Sequence, residues 1–176
     1  MRSKLNTHAL AQAALMGGLI FIAGLIRIPL GPVSFTLQTM FVLLSGMLLE
    51  TAVALAATLL HLVLKLVFGG VAAILSPSFG FVLAFIPAAV LLAYLSRRGS
   101  KAIRREIINL LLASILIYAI GLPYMALILR YVSGQTLSLR YIVFSGMIIF
   151  LPTDILKAVL ALRLKRHLRP LVVTWR

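Results

Sequence analysis

Most of the positive charge in this chain falls in a few short clusters, and the apolar stretches between them are close to the length that crosses a bilayer. Arg2 and Lys4 open the sequence, Arg97, Arg98, Lys101, Arg104 and Arg105 form a central group, and Arg163, Lys165, Arg166, Arg169 and Arg176 close it. A membrane helix needs roughly 20 apolar residues to cross about 30 Å of hydrocarbon. With 62% hydrophobic and 11% charged residues, the chain lacks the polar surface of a soluble domain of its size, and its mean hydropathy is +1.14. Both features point to an all-α integral membrane protein, polar only at its ends and at sites of function.

The net charge of +14 would suit a nucleic-acid ligand, but placement argues against it. The basic clusters lie between or beyond the apolar spans, where the positive-inside rule reads them as cytoplasmic anchors in a lipid membrane. No folded basic face with interleaved stacking aromatics is visible. The chain has no cysteine, which excludes disulfides and thiolate metal sites. The apolar stretch from about Ala9 to Ile28 lacks a convincing A-x-A cleavage site and is expected to remain as the first membrane helix rather than a signal peptide.

Six segments qualify as spans. The first runs from about Asn6 to Ile28 and stops at Pro29, Gly31 and Pro32. The second, Thr36 to Leu49, is short for a crossing, and the third, Thr51 to Phe68, follows a turn at Glu50. Residues 37 to 68 also read as one continuous helix, but at 1.5 Å per residue this would extend roughly 48 Å and overshoot the bilayer, which favours two. A loop, "FGGVAAILSPS", leads to a fourth span from Phe79 to Leu95 containing Pro87. The fifth, Ile107 to Leu129, is expected to break or bend at Gly121 and Pro123, and the last covers Tyr141 to Leu164. Six crossings place both termini and the 97–105 cluster in the cytoplasm, with the loops near 29–36, 69–78 and 130–140 on the outer face. No linker divides residues 1–176, which reads as a single transmembrane domain.

Catalysis has little support. Of the three acidic residues, Glu50 lies at an inner turn, Glu106 follows Arg104 and Arg105, and only Asp154 is surrounded by apolar sequence, so a carboxylate pair for acid–base work is missing. His8, His61 and His167 have no neighbours at metal-ligand spacing, and His61 reads as a packed or pore-facing imidazole. Neither a metal nor a cofactor is expected. Asp154 and Lys157 differ from these residues, because a charge at the centre of a membrane helix costs about 2.5–3.5 kcal/mol on insertion scales. Their i, i+3 spacing puts both on one face, where they either pair with each other or meet a cavity or a ligand. Pro152, lacking an N–H, disrupts the preceding turn and is expected to free backbone groups beside the aspartate.

Three further features stand out. The segment "IPLGPVSFTLQT" follows a tight non-helical path and then presents Phe35, Thr36 and Gln38. In "FGGVAAILSPSFGF", glycines allow close backbone approach, and Ser76 and Ser78 are placed to cap the following helix. In the first span Ala9, Ala13 and Gly17 recur every four residues, with Ala14 and Gly18 beside them, so that another helix can approach closely, either within the bundle or from a partner.

Together the blocks "IPLGPVSFTLQTMFVLLSGMLL", "VFGG", "SPSFGFVLAF", "GLPYMALIL" and "FLPTDILKAVLAL" resemble the BioY family, the biotin-specific substrate-binding components of energy-coupling factor (ECF) transporters. The family's G-P-V-P-F-T-L-Q loop and P-G-D-x-x-K segment are nearly intact. Ser34 replaces a usual proline, Thr153 a usual glycine, and Lys65 interrupts a usually glycine-rich helix end. The resemblance implies a six-helix component of the cell membrane that captures biotin and is not itself an enzyme. It implies partners too: a transmembrane coupling protein, which the stripe Ala9, Ala13 and Gly17 would face, and ABC-type ATPase subunits. The chain itself has no Walker A element to hold ATP. For biotin, Asp154 is expected to accept from ureido N–H groups, Lys157 to meet an anionic or carbonyl oxygen, and Gln38 and Thr36 to do either. Phe35, Phe79, Phe81 and Tyr124 would supply apolar wall, and Phe68 and Ser76, from the matching blocks, join the expected site. Two alternatives remain: a component for another vitamin, and a non-transporting membrane scaffold whose basic side binds anionic lipid.

Overall fold

The computed structural model describes residues 7–98 and 102–173, of which 171–173 contribute backbone only. Asn6 and the basic residues Arg2, Lys4, Lys101 and Arg176 lie outside the described residues. Helix α1 (Thr7–Ala23) leads into a small antiparallel hairpin, β1 (Ile28–Pro29) and β2 (Ser34–Phe35), with Ile28 opposite Phe35. Gly31 turns the hairpin at φ +97°, a conformation that favours glycine. Helices α2 (Gln38–Leu48), α3 (Thr51–Ile74), α4 (Phe79–Arg98) and α5 (Ile103–Tyr131) follow. A short α6 (Leu139–Val143) passes through a π-helical turn, Phe144–Ile148, into α7 (Leu151–Val173).

Helices α3, α4, α5 and the combined stretch Leu139–Pro170 are long and apolar enough to cross a membrane, while α1 and α2 are shorter apolar helices. Helix α2 has 11 residues, about 16 Å at 1.5 Å per residue and so roughly half of the hydrocarbon thickness. It is apolar all round because it packs against α1, α4 and α7. Val42, Leu43, Leu44 and Ser45 are almost inaccessible.

Two ion pairs fix which ends of the helices lie together. Arg97 at the end of α4 meets Glu50, in the α2–α3 turn, at 3.7 Å. Lys165 near the end of α7 meets Glu106, in the first turn of α5, at 2.5 Å. These residues therefore share the end of the bundle that carries the basic clusters, and the hairpin lies away from it.

Three expectations change. The 69–78 segment is not all loop: α3 breaks direction at Gly70 (φ +55°, ψ −153°) and resumes through Val71–Ile74, a run with no glycine or proline to stop it. Helix α5 continues through Gly121 and Pro123 without a break. The glycine there serves packing, since a side chain at Gly121 would collide with the Phe81 ring, and one at Gly80 on α4 would collide with Tyr124. Each helix thus makes room for an aromatic ring of the other. Lastly, Ala13 and Gly17 are buried against this chain's own α3, with a Cβ at Gly17 falling 2.7 Å from the Ala57 carbonyl oxygen. Ala9 packs at the edge of the same core, so the small-residue stripe is used inside the bundle.

Candidate functional site

The hairpin and the helices around it line a cleft that is partly open to the outside, a concave site with apolar walls and a few convergent polar groups of the kind that takes small molecules. Arg27, Val33 and Ser34 contribute from the hairpin region, Thr36, Gln38 and Thr39 from the start of α2, and Lys65 from α3. Ser78, Phe81, Val82 and Phe85 belong to the α4 side and Ile117 and Tyr118 to α5. Gly146, Phe150, Asp154 and Lys157 complete the lining from the π-helical turn and α7.

Helix α7 carries the charged wall because its inward stripe recurs every four residues at Lys157, Ala161 and Lys165, all buried. Lys157 donates to Asp154 Oδ1 at 2.8 Å, and the Tyr118 hydroxyl donates to Asp154 Oδ2. The Lys157 ammonium also lies 4.4 Å from the centroid of the Phe35 ring, a cation–π contact that strengthens where water is excluded. Pro152 falls in the first turn of α7, where a missing N–H is tolerated. The Asp154 N–H is not freed by it, since it donates to the Phe150 carbonyl at 2.8 Å.

The facing wall is hydrogen-bonded at its floor. Gln38 Nε2 lies 2.7 Å from His61 Nε2, and the Thr36 hydroxyl donates to Gln38 Oε1 at 3.2 Å. Gly24 has no side chain because the Gln38 amide occupies that space. His61 is 1% exposed, so Gln38→Leu leaves a buried imidazole nitrogen unpaired, at a cost of about 1–3 kcal/mol. The expected result is a lower thermal midpoint in detergent. An unchanged midpoint would mean that this contact is dispensable.

Of the residues picked out in the sequence, Thr36, Gln38, Phe81, Asp154 and Lys157 line the cleft, and Phe35 adjoins it through Lys157. Four lie elsewhere. Phe68 is 73% exposed and packs on Phe21, with ring centroids 5.2 Å apart. Phe79 is in the core against Tyr124, whose hydroxyl donates to the Ile74 carbonyl at 2.5 Å. Ser76 bonds Ser78 at 2.9 Å, and it is Ser78 that reaches the cleft. Sequence reasoning missed Tyr118, Arg27 and Lys65. Nothing distinguishes Tyr118 within an apolar helix, but Lys65 is an ionisable residue inside a span and carries the same signal that singled out Asp154 and Lys157.

A helical membrane bundle with a polar cleft between apolar walls, fitted with paired charges and hydrogen-bonding side chains, is a membrane protein that binds a small polar solute. Comparison with known proteins gives the family. The BioY family model matches residues 1–174. "Biotin transporter BioY" of Rhizobium etli is 30% identical over 92% of this chain and 93% of its own length. "Probable biotin transporter BioY" of Lysinibacillus sphaericus is 29% identical over 96% and 92%, respectively. The crystal structure of the S-component for biotin from an ECF-type ABC transporter superposes with a TM-score of 0.78 at 25% identity, covering 97% of this chain and 95% of that one. The chain belongs to the BioY family.

Proposed function

We propose that this protein captures biotin in the cleft between the hairpin and α7 and works as the substrate-binding component of an ECF-type transporter. It is a transport component, not an enzyme. The observation that carries the reading is the Tyr118–Asp154–Lys157 arrangement facing Thr36 and Gln38, in a fold shared with the S-component for biotin. A ureido ring has two N–H donors and one carbonyl, and this cleft offers a carboxylate, an amide and hydroxyls within reach, with Phe81 and Phe85 as apolar wall.

In this proposal the end bearing the basic clusters faces the cytoplasm and the hairpin faces outward, in the cell membrane. Both termini are cytoplasmic, and α1 and the hairpin-and-α2 segment, in which the hairpin makes up the length that α2 lacks, complete six crossings of a single domain. The partners are a transmembrane coupling protein and ABC-type ATPases. Because Ala13 and Gly17 are buried within the chain, the α1 surface offered to the coupling protein is the adjoining row Leu10, Ala14 and Gly18. At Gly18 an added Cβ would meet nothing within 4 Å.

The test is an equilibrium titration of the purified, detergent-solubilised protein with biotin, riboflavin and thiamine. Saturable binding of biotin alone is expected. Binding of another vitamin in its place would reassign the substrate, and failure to rescue a biotin auxotroph at low external biotin would remove the uptake role.

A further inference from the structure

The cleft contains more positive charge than the chain neutralises. The sequence has only three acidic side chains, and each is engaged: Glu50 with Arg97, Glu106 with Lys165, and Asp154 with Lys157 and Tyr118. Arg27 and Lys65 line the same cleft, and among the described residues neither forms an ion pair. Contrast the two buried lysines of α7, Lys157 and Lys165, each matched to one carboxylate. Lys65 is only half-buried but lies within a membrane-spanning helix, where an ionisable group is expensive unless it is paired, hydrated or meets a ligand.

Position adds direction to this charge. Lys65 follows His61 by one helical turn and so stands beside it on the same face of α3, and His61 is bonded to Gln38. Arg27 is tied to the same wall, because its Nε donates to the Gly24 carbonyl at 2.7 Å and Gly24 packs on the Gln38 amide. That bond leaves the two terminal nitrogens of the guanidinium available, and a guanidinium fork suits a carboxylate. The cleft is therefore bipolar: its α7 wall holds a carboxylate already matched to a lysine, and its α3 wall holds two unmatched cations.

We infer that Arg27 and Lys65 bind the carboxylate end of the solute, while Asp154, Lys157 and Tyr118 serve its uncharged ureido end. The inference rests on the biotin reading and adds the orientation of the ligand and the residues that select for a free acid. Lys157 is unsuited to the carboxylate because its charge is already matched by Asp154 at 2.8 Å. A solute anion supplies the counter-charge that Lys65 lacks and meets the guanidinium of Arg27, which is exposed and hydrated at the mouth of the cleft, whereas an uncharged analogue gives neither cation a partner.

The experiment compares biotin with biotinamide, its neutral near-isostere, by equilibrium binding to the purified full chain. The wild type is expected to prefer biotin by roughly tenfold to a hundredfold, the range for a hydrogen bond to a charged group. Lys65→Met and Arg27→Gln should each shrink that ratio several-fold, and together bring it close to one. Lys65→Arg should keep the preference, since it preserves the charge. A wild-type ratio near one, or a double variant with the wild-type ratio, overturns the inference. If a charge-removing variant fails to fold, the wild-type and Lys65→Arg ratios still decide, because the inference requires both to favour the acid. Failure of the wild type to bind either compound would instead sink the biotin reading itself, whereas equal binding of both sinks only the assignment of Arg27 and Lys65.

Discussion

Asp154→Asn and Lys157→Met are each expected to lower both stability and biotin affinity, and combining them should restore the first without the second. Lys157 is buried and its ammonium is 2.8 Å from Asp154 Oδ1. Removing one member of a buried pair strands the other charge, which costs about 3–5 kcal/mol. The low end applies here, because the Asp154 side chain is 19% exposed and asparagine still accepts from Tyr118. The double variant has no stranded charge, so its thermal midpoint should return most of the way to the wild-type value. Binding should not return. The ureido acceptor has lost its charge, and biotin should weaken by about 1.5–3 kcal/mol, or roughly tenfold to a hundredfold. A double variant with wild-type affinity would make the pair structural only and put the solute elsewhere.

Gly17→Leu is expected to disrupt the bundle where its neighbour Gly18→Leu does not. At Gly17 a Cβ would fall 2.7 Å from the Ala57 carbonyl oxygen and 3.1 Å from Leu60 Cδ2. The oxygen belongs to the backbone of α3 and cannot move aside without moving the helix. Overpacking of this kind costs about 1–3 kcal/mol and occasionally more, so a lower thermal midpoint of the isolated protein is expected. At Gly18 nothing lies within 4 Å, and the change should stay within about 0.5 kcal/mol. If the outer row of α1 faces the coupling protein, Gly18→Leu should instead reduce co-purification of the complex. Equal stability of the two variants would contradict the packing of α1 on α3.

Much of this architecture was legible because bilayer physics leaves few choices. Clustered charges and apolar runs gave the long helices, and "IPLG" gave a tight turn that proved to be a hairpin around Gly31. Helix α2 was harder to place, since a short helix apolar all round reads the same whether it faces lipid or packs at the centre of a bundle. The continuation of α3 beyond Gly70 was also hidden, because a glycine pair permits both a loop and a change of helix direction. In the site, Asp154, Lys157, Gln38 and Thr36 were visible as polar groups out of place. Tyr118 was not, because only the fold brings it to a residue 36 positions away. The stripe Ala9, Ala13 and Gly17 was seen correctly as a close-approach face, but spacing alone cannot say whether the approaching helix belongs to the same chain.

In the proposed function biotin lies in the cleft between the hairpin, α3, α5 and α7. The most direct measurement is an experimental structure of the biotin-bound protein. The prediction is ligand density with the ureido ring within hydrogen-bonding distance of Asp154 and the valerate chain running toward α3. Density outside this cleft, for instance in the groove lined by Leu129, Gln135 and Ile142, with Asp154 and Lys157 still paired only to each other and Tyr118, would contradict it.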